Sequence, residues 1–354
     1  MGAIELLIEL GDIANKSGNI ETAETQDFLQ HIVTILCNQV RYEGLNIPAD
    51  GTPEQHTYLQ GEIVQKLLKH IHSSPTSKDL NGWTTCTIDL SNATLNIEIQ
   101  IDNTTIKQPL ILTGATFNKK VSITHSSLFD LHWTNSHFRE LHISHSTLKI
   151  DSFPREMNNA TFTHTSLTSR SNGANSTITL PLTDAKSAPS ETNIITFNQD
   201  CSFASPLKIL AKCGEFAPNF SSERIEFQNC NFSTIEITGS TFNADVRFET
   251  CAFKDGLKIH DLSYDLGAVA EHNCEQDGCE WKDVDCEQNW SYGFPNHTTE
   301  RTAFLLFSNC TFPDEISEKI LITGILCYFD AEDYTDDNLI SFTNCRTHDD
   351  KEIY

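Results

Sequence analysis

Large apolar residues recur every five positions from Leu128 through Trp133, Phe138, Ile143 and Leu148 to Phe153. This is neither the period of about 3.6 of an amphipathic helix nor the period of about 2 of a half-buried strand. The period changes from Trp83, and apolar positions step through Leu90, Leu95, Ile101, Ile106, Leu112, Phe117 and Ile123 to Leu128, each five residues after the last, or six where one residue is added. Two kinds of stride alternate. One is apolar at two alternate positions, as in Ile99-x-Ile101, Val121-x-Ile123 and Leu141-x-Ile143; the other puts a small residue two places before the large one, as Ala115 before Phe117, Ser126 before Leu128 and Ser146 before Leu148. ITHSSL at 123–128 returns as ISHSTL at 143–148.

Four such strides close one square turn of a coil, with positions i and i−2 pointing inward as alternate residues of a short strand do. Successive coils stack about 4.8 Å apart, so each large side chain sits over its equivalent. Each buried Phe, Ile or Leu contributes roughly 1.5–3 kcal/mol. No coil can bury its inner face alone, so the array stands only as a stack. A sandwich would show strands every 8–12 residues or so with Gly/Pro turns, and turn residues are scarce here.

The pattern divides the chain. Residues 1–73 read as a small α-helical domain. Its apolar faces are Ile4, Leu7 and Ile8; Phe28, Ile32, Leu36 and Val40, widened by Leu29, Val33 and Cys37; and Ile63, Val64, Leu67, Leu68 and Ile71. Coils follow over 83–153. Residues 154–193, rich in Ser, Thr and Asn with Pro154, Pro181 and Pro189, read as an insertion. Coils resume over 194–260, stumbling between Gly214 and Ser222. Residues 261–304 read as a second, acidic and Cys-containing insertion, and 305–354 as terminal coils with an acidic tail that guards the last β edge.

The large residue with a small one two places before it, and its paired form in FQNCNFSTIEITGSTFNADVRFETCAF, resemble the pentapeptide-repeat proteins, the paired form being common among bacterial members. The helical start (GAIELLIELGDIANKS, DFLQHIVTILCNQVR, IVQKLLKHI) is similar to the segment that precedes the repeats in one bacterial subgroup. The resemblance covers most of residues 1–260. It implies a mainly β fold, a right-handed quadrilateral β-helix, behind a small N-terminal α-helical domain. It says little of function.

Net charge is −25, which repels phosphates and argues against nucleic acid as a ligand. Residues 262–354 carry 20 acidic and 5 basic side chains, whereas 80–153 carry 6 and 5. A basic protein partner is the reading this asymmetry favours. No run of about 18 apolar residues predicts a membrane span. The start MGAIELLIELGD has neither a secretory nor a myristoylation pattern, which predicts a cytoplasmic protein.

Of the twelve Cys, Cys201, Cys230, Cys251 and Cys310 each precede a Phe by two, the inward small slot, and read as buried thiols in a reducing compartment. Cys230 and Cys251 should stack one coil apart. His272, Cys274, Cys279 and Cys286 offer one nitrogen and three sulfurs to a tetrahedral zinc; a local disulfide and a loop of free thiols fit the same spacing. Around them Glu275, Asp277, Glu280, Asp283, Asp285 and Glu287 form a surface for a basic partner. His125 and His145 fall one coil apart at outward positions and should form a ladder of like charges when protonated. No phosphate loop, nucleophile elbow or paired-carboxylate arrangement is visible, so no enzyme activity and no organic cofactor is expected.

The sequence thus favours a non-enzymatic scaffold or binding protein. One alternative is implied by the resemblance: some pentapeptide-repeat proteins imitate DNA and bind type II topoisomerases, which requires acid spread along the rod. The other is a zinc-binding interaction module built on 272–286.

Overall fold

A computed structural model of the chain describes residues 2–16, 22–45, 53–71, 82–171, 176–182, 194–211, 224–239, 245–264, 305–313, 320–323, 326–327, 340–347 and 352–353. It is mostly β, with parallel sheets and three helices.

The helices are α1 (Gly2–Lys16), α2 (Ala23–Leu45) and α3 (Pro53–Ile71). They bury Ile4 and Ile8 from α1, and Ile63, Val64, Leu67 and Ile71 from α3. The buried stripe of α2 is Leu29, Ile32, Val33, Leu36, Cys37 and Val40, and Phe28 is exposed. The expected stripe is therefore rotated: centring it on Leu29 and Val33 keeps every later residue of that stripe inside, at the expense of the one at its edge. Trp83, in the short 3₁₀ turn Gly82–Thr85, is buried and joins the helices to the first coil.

From Ile88 to Thr347 the described strands pair in parallel with strands of neighbouring coils, an arrangement consistent with a β-helical solenoid. The inward columns are continuous. One runs Ile101, Ile123, Ile143, Phe162, Phe197, Phe227, Phe248, Phe307, Phe342 in register. A second runs Ile106, Leu128, Leu148, Leu167, Phe203, Phe232, Phe253. Where the columns become Phe, the rings stack along the axis: Phe197–Phe227 at 4.8 Å and 10°, Phe227–Phe248 at 4.8 Å and 5°, Phe248–Phe307 at 4.7 Å and 2°. The ring spacing matches the separation of the strands, about 4.8 Å. Rings of the two columns meet edge to face, as Phe227 and Phe232 do at 77°, an arrangement the aromatic quadrupole favours.

Of the first expected insertion, 154–193, the described residues 154–171 and 176–182 belong to the stack instead. Glu156–Met157, Ala160–Thr163, Ser166–Ser169 and Ile178–Leu182 are strands of the stack. FTHTSL at 162–167 places Phe162 and Leu167 in the inward slots, on Ile143 and Leu148. Pro181 is tolerated because Thr179, on the same side of its strand, directs its N–H to Asp151, where only the isolated bridge Ser152–Thr179 exists; the N–H that proline lacks would face that unladdered side. Residues 183–193 and 265–304 lie outside the described residues, and with them most of the second expected insertion.

At the far end, Ile340–Thr343 continues the stack on Leu305–Ser308. Glu352–Ile353 lies antiparallel on Cys345–Thr347, unlike the parallel pairings elsewhere in the described sheets. An antiparallel segment occupies an edge that would otherwise be open to pairing.

Candidate functional site

One corner of the described coils carries a ladder of titratable side chains. The corner residue of each described coil in this column takes a left-handed conformation: Asn103 (φ 48°), His125 (48°), His145 (50°), His164 (48°), Asp200 (64°), Asn229 (52°), Thr250 (54°), Asn309 (53°) and Asn344 (53°). Asn and His are among the non-glycine residues enriched there. Each backbone N–H in this set from Asn103 to Asn309 donates to a carbonyl of the next coil, as His125 N does to Ser144 O at 3.0 Å and His145 N to Thr163 O at 2.9 Å.

In three consecutive coils the corner is histidine. His125 and His145 stack with ring centroids 5.0 Å apart and 15° between planes, and His145 and His164 lie 4.7 Å apart at 38°. A carboxylate stands at each end: Asp102 Oδ1 is 3.5 Å from His125 Nδ1, and Asp200 Oδ2 is 4.0 Å from His164 Nδ1. The Thr124 hydroxyl donates to Asp102, and with the His125 contacts it holds that carboxyl below the usual carboxylate range. The sequence reading found two rungs of this ladder. His164 was missed because the repeat that carries it, FTHTSL, fell inside the expected insertion.

The other histidines of this stretch are paired individually: His137 with Glu156 at 2.8 Å, His142 with Glu140 at 2.9 Å, and His132 with Asp130 at 2.9 Å. Arg170 bridges Asp130 at 3.3 Å and Asp151 at 2.7 Å and also touches His132. Stacked rings direct their nitrogens sideways rather than at a shared point. Among the described residues no group of three or more His, Cys, Asp or Glu converges as a metal site would require.

Beneath the corner runs an inner column of small donors, Thr104, Ser126, Ser146, Thr165, Cys201, Cys230, Cys251, Cys310 and Cys345, all buried. From Ser126 onward most share one pattern, donating to the carbonyl two residues before and to one in the preceding coil. Ser126 Oγ reaches Thr124 O at 2.7 Å and Ile101 O at 3.4 Å; Cys251 Sγ reaches Glu249 O at 3.4 Å and Phe227 O at 3.3 Å. The thiols of this column are free. Cys230 and Cys251 stack as their spacing predicts. The hydrogen bond to Cys251 and burial push the Cys310 thiol up to about 12. These are packing residues.

His272, Cys274, Cys279 and Cys286, and the acids Glu275, Asp277, Glu280, Asp283, Asp285 and Glu287, lie outside the described residues. No helix among the described residues is long and apolar enough to cross a membrane. Comparison with family models, curated proteins and solved structures returns no match.

Proposed function

We propose that the chain is a pentapeptide-repeat protein, a right-handed four-sided β-helix behind a helical cap, and that it acts as a non-enzymatic interaction scaffold in the bacterial cytoplasm. Its acidic last quarter would contact a basic protein. One observation carries this reading. Several acids of the stack are matched by neighbours: Glu140 by Lys120, Asp130 and Asp151 by Arg170, Glu226 by Arg224, and Glu236 by Lys208 and His260. Residues 262–354 hold 20 acidic against 5 basic side chains, a surplus that needs a partner or counterions.

The test is affinity capture from native lysate with the intact chain and with a variant in which Glu275, Asp277, Glu280, Asp283, Asp285 and Glu287 are changed to Gln or Asn. A basic protein recovered by the first and lost by the second supports the proposal. Equal recovery removes the acidic loop from it. Enrichment of a type II topoisomerase subunit would instead favour DNA mimicry, and stoichiometric zinc in the purified chain would favour the metal-binding module.

A further inference from the structure

Helix α1 is apolar on two sides. Ile4 and Ile8 face the core, while Leu6, Leu10 and Ile13 are 56%, 42% and 59% exposed. Their spacing of i, i+4, i+7 puts them in one row. On α2, Phe28, Ile35 and Tyr42 are also exposed, at successive intervals of seven. Only Phe129 and Ile194 in the described solenoid are comparably large, apolar and exposed. Among the described residues exposed apolar surface is thus concentrated on the helices, where a row left uncovered by them marks a contact face rather than scattered surface residues.

Charge selects the occupant. Glu5 and Glu9, one turn apart, flank the row and are both exposed. Glu5 has Lys66 at 3.5 Å, while Glu9 makes no ion pair among the described residues, nor do the exposed Glu24 and Asp27 at the start of α2. Residues 1–79 hold 11 acidic and 5 basic side chains. A second copy would bring the same acids against these. An amphipathic helix with Lys or Arg beside its apolar anchors would match both the row and its border. We propose that Leu6, Leu10 and Ile13 form a docking site for such a basic amphipathic helix of a partner protein. The site is separate from the acidic last quarter and does not depend on it.

The probes are two synthetic amphipathic helices with the same apolar face, one flanked by Lys and one by Glu, titrated into the full chain by fluorescence anisotropy. A scrambled Lys-rich peptide controls for simple charge attraction. The Lys-flanked helix should bind, more weakly as salt rises, and the other two should not. Leu10→Ser leaves the charge and the buried core intact; it should weaken binding about tenfold with an unchanged melting curve. Glu9→Gln should weaken it less. Equal binding of the scrambled peptide, or no loss in Leu10→Ser, overturns the proposal. So does absence of binding by the Lys-flanked helix, and so does concentration-dependent self-association of the intact chain that Leu10→Ser abolishes, which would make a second copy the occupant. Loss of the acidic-loop partner alone leaves this result untouched, so the two proposals fail separately.

Discussion

Gln60, buried on α3, lays its side-chain amide against the backbone of Thr94 in the first coil: Nε2 donates to Thr94 O at 2.7 Å and to Val40 O at 3.0 Å, while Oε1 accepts from Asn96 N at 3.3 Å. One glutamine thus supplies the donor and acceptor that a preceding strand would have supplied. Gln30 does the same for Thr87, donating to its carbonyl at 3.0 Å and accepting from its N–H at 2.8 Å. Arg41 Nε completes the seal on Ser91 O at 2.8 Å. The first edge of a parallel stack presents unpaired backbone groups, and the cap satisfies them with side chains.

Gln60→Leu keeps the volume and removes both partners. An unsatisfied buried backbone group costs about 1–3 kcal/mol, so the variant should lose about that much stability in chemical denaturation. An unchanged midpoint would show that water replaces the amide and that the edge is not sealed as described.

Gly44→Ala should be worse than its local effect suggests. In a free helix the change would stabilise by about 1 kcal/mol. Here a Cβ on Gly44 would lie 2.2 Å from Thr94 O, a strand backbone atom that cannot turn aside. At Gly11 the added Cβ would meet the Trp83 side chain at 2.3 Å. Overpacking of this kind costs about 1–3 kcal/mol. Thermal melts should show both variants destabilised; a rise in Tm for Gly44→Ala would contradict the close approach of α2 to the first coil.

How far the sequence could be read follows from which side chains repeat. Inward slots were legible because one residue in each stride must be large, so Ile143 or Phe227 announces its own place. FTHTSL was not, because it follows ISHSTL after nineteen residues rather than twenty and stands among Ser, Thr and Asn. Gln30, Gln60 and Arg41 were not legible either: a polar residue on an amphipathic helix gives no sign that it faces a strand edge rather than water. The left-handed corner explains why Asn and His alternate at one position, a backbone demand that apolar periodicity does not express. The Cys/His segment of 272–286 is marked by side-chain chemistry alone, and no repeat in the sequence anchors it to the coils.

The described thiols should be inert in the folded protein. Cys37, Cys86, Cys201, Cys230, Cys251, Cys310 and Cys345 are buried, and desolvation pushes Cys37 and Cys86 up to about 11. The thiolate is the nucleophile, so at pH 8 these two are doubly protected. Alkylation mapped by mass spectrometry should label these seven only after denaturation. Labelling of Cys251 in the native state would mean that the stack opens locally.

Acid should loosen the cap at Asp89. Burial raises this carboxyl, but the Ser91 hydroxyl and N–H and the Arg41 guanidinium outweigh it and hold it below its ordinary value. A group whose folded pKa is depressed stabilises above its unfolded pKa, about 3.9, and that stabilisation is lost as pH falls through the folded value. Asp89→Asn should therefore be less stable than the parent at pH 7, and the gap should shrink as pH falls below the unfolded value of about 3.9. A gap that stays constant over this range would exclude the ionised pair as its source.

The corner conformation makes opposite demands on two substitutions at His145. Asn occupies the equivalent place at 103, 229, 309 and 344 with φ between 48° and 53°, so His145→Asn should keep the backbone and change stability by less than about 0.5 kcal/mol. His145→Val puts a β-branched side chain at φ 50°, where left-handed geometry costs about 1–2 kcal/mol and the ring contacts to His125 and His164 are also lost. Denaturation of the two variants side by side separates backbone from stacking. If Asn is as damaging as Val, the imidazole stack rather than the turn holds this corner; if Asn is neutral and Val costly, the histidines are free of a structural duty and their repeated geometry is that of the coil beneath them.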